Sequence, residues 1–263
     1  MDVRPPALAG PWSPADPAAL AQCVDGFLAA PEPRPAAPSP KALVAPHAGL
    51  VYSGPVAASA YARWTDPAII ERVVLLGPAH RVAFRGLCAP TVDAFATPLG
   101  PVPLDREALA LLDDLPGVLR DDRPHAEEHS LEMHLPFLQR TLGEFRLVPL
   151  VVGAATTAEV REVLQRLWGG PETRIVVSSD LSHFHDHETA ARLDRVTATA
   201  IETLDGDALD DHSACGRIPL RGLLAEARAR GLQVETLDVR TSGDTAGDRR
   251  RVVGYGAWAF TDG

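Results

Sequence analysis

The chain has 263 residues and a formal net charge of −10, enough length for one large α/β domain or two small ones. With 46% hydrophobic and 23% charged residues it has the composition of a globular protein, and its acidic balance argues against nucleic-acid binding, which needs a basic surface. Cys23, Cys88 and Cys215 have no paired spacing, which fits a reduced, cytoplasmic protein better than a disulfide framework. The N-terminus lacks an apolar signal core and no run approaches 18 apolar residues, so neither secretion nor a membrane span is expected.

In chain order, residues 14–30 have helical spacing at Leu20, Cys23, Val24, Phe27 and Leu28, with Ser13 or Asp16 as N-cap. The Pro- and Ala-rich stretch 31–40 reads as a stiff surface connection. Residues 1–40 are therefore expected to form a helix and connection packed on a domain spanning 41–263. Strands are expected at 41–45, 73–76, 86–92, 146–152, 174–178, 232–240 and 251–260. Helices are expected at 54–63, 105–114, 130–142, 157–168, 187–204 and 217–230. This alternation predicts a single-domain, three-layer α/β sandwich, its central sheet mainly parallel with helices on both faces. Residues 87–104 read instead as an antiparallel excursion.

Three histidines fall just past apolar β-type runs: His47 in KALVAPHAG, His80 in VVLLGPAH and His183 in RIVVSSDLSH. Buried parallel strands read as short Val/Ile/Leu runs, and open α/β sheets bind ligands outside the carboxyl ends of such strands. Imidazoles and the carboxylate of Asp180, three residues before His183, are thus expected at one rim as metal ligands or proton-transfer groups. Alone, His47 reads more readily as satisfying local backbone groups, and Arg81 as a solvated charge. In HAEEHSLEMHLPF, Ser130 can cap a helix, His129 lies at its mouth, and Glu127 and Glu128 sit near its positive end. A site role and a structural one are evenly balanced for His129, while His125 reads as structural. HSLEMH is not HExxH, which disfavours a zincin protease, and Ser178 and Ser179 lack a G-x-S-x-G elbow. Cys215, opening a helix in CGRIPLRGLL, reads as a buried small residue. Asp244 and Asp248 read as residues of a polar turn.

Taken together, APHAGLVYSG, LGPAH, EEHSLEMHLPF, VVSSDLSH, CGRIPL and VVGYGAWAF closely resemble the MEMO family, whose bacterial branch is called AmmeMemoRadiSam system protein B. The resemblance implies the fold of the LigB-like class III extradiol dioxygenases, which are non-haem iron enzymes, and a metal pocket. It implies that His47 and His80 are metal ligands and that Asp180 and His183 complete the pocket, His183 standing in the place of an acid–base histidine. In animal members the third ligand is a cysteine in the loop before the last strand. This chain has no cysteine there and offers Asp244, which would complete a two-histidine, one-carboxylate triad suited to Fe(II) and O₂. Arg81 and Ile218 stand where the family pattern has histidines.

Three readings follow. The first is a dioxygenase-like enzyme acting on a small aromatic or related molecule, with Fe(II), copper or zinc as the divalent metal and with His183, Asp180 and His129 handling protons. The second is a non-catalytic metal-binding or scaffold protein that works with radical-SAM system proteins, as the family name implies. The third is a metal-assisted hydrolase.

Overall fold

The structure is a computed structural model describing residues 2–31 and 38–263; residues 32–37, within the expected Pro-rich connection, lie outside the described residues. The strands are β1 (Val3–Arg4), β2 (Ala42–Ala45), β3 (Arg72–Pro78), β4 (Leu87–Ala89), β5 (Ala94–Thr97), β6 (Gly100–Pro103), β7 (Val118–Arg120), β8 (Arg146–Val152), β9 (Thr173–Ser178), β10 (His183–His185), β11 (Gln233–Thr241) and β12 (Val252–Thr261). The helices are α1 (Pro17–Leu28), α2 (Leu50–Tyr61), α3 (Arg106–Ala110), α4 (Arg123–Ala126), α5 (Leu135–Leu142), α6 (Thr157–Leu167), α7 (His187–Glu202), α8 (Arg217–Arg230) and α9 (Ser242–Thr245).

The main sheet runs β10-β12-β2-β9-β3-β8-β4-β7, with β11 also paired to β12. Its centre, β2-β9-β3-β8, is parallel. Both flanks turn antiparallel, at β12–β2 and β4–β8. The central strands form because they can be buried throughout: Ala42–Ala45, Val73–Leu76 and Ile175–Val177 are all fully inaccessible. Helices α2, α7 and α8 pack against strands of this sheet, giving the mixed α/β fold that the alternation predicts. The neighbours β2, β9 and β3 place their carboxyl ends side by side, and the site is built on that rim.

The antiparallel excursion is a β5–β6 hairpin, which joins β1 in a separate three-stranded sheet. Asp16 caps α1 by accepting the N–H of Ala19 at 2.8 Å, ahead of Pro17 at the first helical position, and the helix buries Leu20 and Val24. Other boundaries differ from expectation for local reasons. The helix expected at 130–142 starts at Leu135 after a 3-10 turn at Glu132–His134, because the Ser130 hydroxyl donates to the Pro78 carbonyl at 2.8 Å instead of capping. Strands β7 and β10 were not expected, since VLR and HFH carry little apolar signal.

Candidate metal centre

His47, His80 and His129 come together on the rim. One ring nitrogen from each lies within 4.8 Å of the other two. The His80 and His129 rings stack at 4.4 Å, and the His47 ring stands edge-on to both at 5.2 and 5.3 Å. Two donors on a single ion with bonds of about 2.1 Å can be no more than roughly 4.2 Å apart, so a small inward movement of the rings suffices for a shared ion.

Hydrogen bonds fix which nitrogen His47 and His80 offer. The Ser178 hydroxyl gives its only proton to the Ser130 carbonyl at 2.6 Å. It must therefore accept from Nδ1 of His47, also at 2.6 Å, which leaves the lone pair of His47 on Nε2. His80 donates Nδ1–H to Oε1 of Glu128 at 2.9 Å, so its lone pair is likewise on Nε2. The Nδ1 of His129 lies 3.3 Å from the same oxygen but is not aligned for a hydrogen bond. Carboxylate–histidine pairing of this kind orients ligating rings and raises their basicity.

Glu128 also accepts the backbone N–H groups of His80 at 2.6 Å and of His129 and Ser130 at 2.9 Å. Burial works against its charge, but the hydrogen bonds and charge of His80 and the backbone donors prevail and hold its pKa at about 2. His47 and His129 shift so as to stay neutral. Burial, reinforced by the neighbouring His80, takes His47 well below the usual imidazole range. Burial likewise lowers His129 to about 4, against the opposing charge of Glu128. Borderline divalent ions take imidazole nitrogens, and the hydrogen bonds of His47 and His80 leave Nε2 free for one, so the donor set fits a metal such as zinc, copper or iron.

Asp180 lies beside His47. Its Oδ1 accepts the His47 backbone N–H at 2.8 Å, and Oδ2 stands 3.9 Å from Nε2 of His47. Burial raises its pKa to about 7 in spite of that N–H. The carboxyl thus holds the His47 turn through one oxygen and faces the His47 ring with the other. His183 is half-buried at the start of β10, and burial lowers its pKa. The next residue, Phe184, is exposed in the left-handed region at φ 66°, with the Arg251 guanidinium 4.4 Å over its ring. Strain of this kind in a non-glycine residue gathers at functional sites.

Asp244 is not brought to the three histidines. Its Oδ2 accepts from the backbone N–H and hydroxyl of Thr241 at 2.9 Å, closing a capping box on α9. Its Oδ1 takes His187 Nε2 at 2.7 Å and Arg249 at 3.1 Å. Both oxygens are engaged in shaping the turn, so the expected facial triad is not what these side chains form, and His129 is the third member of the cluster. His125 is buried, with Nε2 3.0 Å from the Cys88 carbonyl, in keeping with a structural role. Sequence reasoning also missed the roles of Glu128 and Ser178. An acid directly preceding a histidine, as in EEHS, is the one signal for the former.

A cleft of about 530 Å³ opens beside the centre, with Trp12, Tyr52, Tyr255 and Arg251 among its walls. The Trp12 ring reaches 4.7 Å from that of His129. Arg4 ties the N-terminal segment that carries Trp12 to this side of the molecule by an ion pair to buried Glu132 at 2.8 Å and a bond to the Glu128 carbonyl at 2.8 Å.

The family model and the relatives of similar sequence agree on one family. The family described as Memo-like protein matches residues 4–259. A MEMO1 family protein of Methanopyrus kandleri is 36% identical over 281 residues, covering 99% of both chains. One of Aquifex aeolicus is 36% identical over 267 residues, covering 97% of this chain and 98% of its own. One of Sulfolobus acidocaldarius is 33% identical over 283 residues, covering 99% of this chain and 100% of its own. Among solved structures, an uncharacterised protein of Escherichia coli K12 is 13% identical and overlaps 69% of this chain and 85% of its own at a TM-score of 0.46.

Proposed function

The chain belongs to the Memo family, and we propose that His47, His80 and His129 hold a divalent metal ion serving a dioxygenase-like oxidation of a small aromatic or related molecule. The observation that carries this reading is the convergence of three imidazole nitrogens within 4.8 Å, with the far nitrogens of His47 and His80 already committed to Ser178 and Glu128. Fe(II), the metal the family resemblance favours, supplies the one-electron chemistry that lets O₂ react with an organic substrate; copper and zinc also suit imidazole donors. The protein's own part is positioning. Trp12, Tyr52 and Tyr255 form walls suited to a flat ring, Arg251 offers a cation to an anionic substituent, and half-buried His183 is a base within reach of the same rim.

Anaerobic Fe(II), zinc and copper titrations of the protein and of His47→Ala, His80→Ala and His129→Ala test the site. One equivalent should bind to the parent, and each variant should lose at least tenfold in affinity. Oxygen uptake across a panel of catechols, abolished in His183→Ala, tests the chemistry.

A second reading is favoured by one observation. Asp244 is held by Thr241, His187 and Arg249, so it adds no carboxylate to the three histidines. A metal-binding protein without turnover, working with a radical-SAM partner, fits that set. Metal bound tightly with no oxygen uptake on any substrate would select it.

A further inference from the structure

Tyr61 closes α2 and is fully buried, and so is His134. The phenol oxygen lies 2.7 Å from Nδ1 of His134. Burial keeps both groups neutral, raising the phenol well above its usual range and lowering the imidazole to about 3. A neutral imidazole has one donor and one acceptor nitrogen. Nε2 of His134 has no partner among the described residues. With the imidazole proton on Nδ1, both the phenol proton and the Nε2 lone pair would go unmatched. With it on Nε2, the phenol O–H donates to Nδ1 and only the Nε2–H is unmatched. The pair is therefore a phenol proton aimed at a base. Phe137 stacks on the phenol ring at 5.4 Å and Trp64 stands edge-on to it at 5.6 Å. The pair also stands close to the rim. His134 is on the same short segment as His129, closed by the Met133 N–H on the His129 carbonyl at 3.2 Å, and at helical rises the two histidines are roughly 8–10 Å apart along it.

We propose that Tyr61 is a one-electron donor to the ion held by His47, His80 and His129, discharged when that ion meets hydrogen peroxide. The inference rests on the reading of those histidines as ligands. Breaking the O–O bond of one peroxide to give two waters takes two electrons and two protons. With Fe(II), the ion supplies one electron and becomes Fe(III), and Tyr61 supplies the other; both protons consumed come from solvent. The Tyr61 O–H bond breaks, its proton moves to Nδ1 of His134, and a neutral tyrosyl radical faces an imidazolium. A phenol that has lost an electron is a strong acid, so even an imidazole titrating at about 3 takes its proton. Since burial closes off the phenolate, electron and proton leave together, which requires a base fixed at the phenol. The second oxidising equivalent then ends on a side chain in the core and not as a hydroxyl radical at the ligands.

Anaerobic Fe(II) titration of the full chain comes first, followed by one equivalent of hydrogen peroxide and freezing for electron paramagnetic resonance. The parent is expected to bind one equivalent of Fe(II) and to give a tyrosyl signal that narrows when the protein carries ring-deuterated tyrosine. Tyr61→Phe, which removes only the hydroxyl, should bind Fe(II) as the parent does and lose the signal. It should gain one-oxygen adducts on the peptides carrying His47, His80 and His129, read by mass spectrometry. His134→Gln, which offers the phenol a hydrogen bond but no base, should also lose the signal. Circular dichroism checks the fold of both variants. Independently of any variant, the high-field spectrum should show one narrow set of g-values, as a single fixed hydrogen bond gives; exposed Tyr52 would give a broad one. An iron-bound parent without the signal, a signal that survives in Tyr61→Phe or His134→Gln, or a broad high-field spectrum would each overturn the donor and leave the three-histidine site standing. A parent protein that binds no Fe(II) would overturn both.

Discussion

Replacing Glu128 by glutamine removes one charge at nearly constant shape, and the structure says what that charge does. The carboxylate is buried and accepts four N–H groups: Oε2 takes the His80 backbone, and Oε1 takes His80 Nδ1 and the backbones of His129 and Ser130. Glutamine can present one carbonyl oxygen, so at least one donor is left facing an amide NH₂. The other bonds lose their charge assistance, at about 1 kcal/mol each. The titration behaviour gives a similar size. A pKa of about 2 against an ordinary 4.5 corresponds to about 3 kcal/mol. Because the folded value is depressed, this stability is fully present above pH 4.5 and is lost only as pH falls toward 2. Urea unfolding should therefore find Glu128→Gln about 3 kcal/mol less stable than the parent, by an amount constant between pH 8 and pH 5.5. Metal affinity should fall ten- to a hundredfold, because His80 loses its orienting carboxylate. If burial instead prevailed and kept the carboxyl protonated near neutrality, the loss would be small and would change across that pH range. A difference below about 1 kcal/mol, or one that varies by more than that between pH 8 and 5.5, refutes the argument.

Burial lowers His125 to about 4 and His134 to about 3, so each contributes stability above pH 6.5 that is lost as pH falls toward its folded value. Each should add about 1.4 kcal/mol per pH unit to the slope of unfolding free energy; a flat profile from pH 6.5 to 5 would contradict this. His129→Ala should abolish stoichiometric metal binding, whereas Asp244→Ala should cost about 1 kcal/mol through its lost cap and leave affinity unchanged, as equilibrium dialysis and thermal unfolding can show. Gly77→Ala would set a Cβ 2.7 Å from Ser130 Oγ and 2.8 Å from Leu131 Cδ2. It should destabilise by about 1–3 kcal/mol and weaken metal binding, because the displaced segment carries His129. Gly26, in α1 with open space at its Cβ position, provides the contrast: Gly26→Ala should stabilise by about 0.5–1 kcal/mol.

What the sequence made legible here, and what it hid, divides along a physical line. Strand runs such as ALVA and RIVVS report their own burial, so the rim that carries His47, His80 and Asp180 could be placed from local pattern, and the family motifs agreed with it. The identity of the third donor is not a local property. His129 reaches the rim because Ser130 links two strand ends, its hydroxyl bonding Pro78 and its carbonyl accepting from Ser178; nothing in EEHS announces those distant partners. Cys215 meets His47 across a sequence separation of 168 residues for the same kind of reason. Asp244 is different, because its role was readable. Thr241-Ser-Gly-Asp244 has the capping-box spacing of a hydroxyl residue followed three positions later by an acid, and the structure closes that box. A carboxylate that completes a local capping motif has its lone pairs committed by short-range geometry. To recruit it as a ligand, a metal must break the bonds to Thr241, His187 and Arg249, whereas the His129 ring already has a nitrogen within 4.8 Å of those of His47 and His80. That difference in prior commitment is the physical reason for placing the third donor on the histidine.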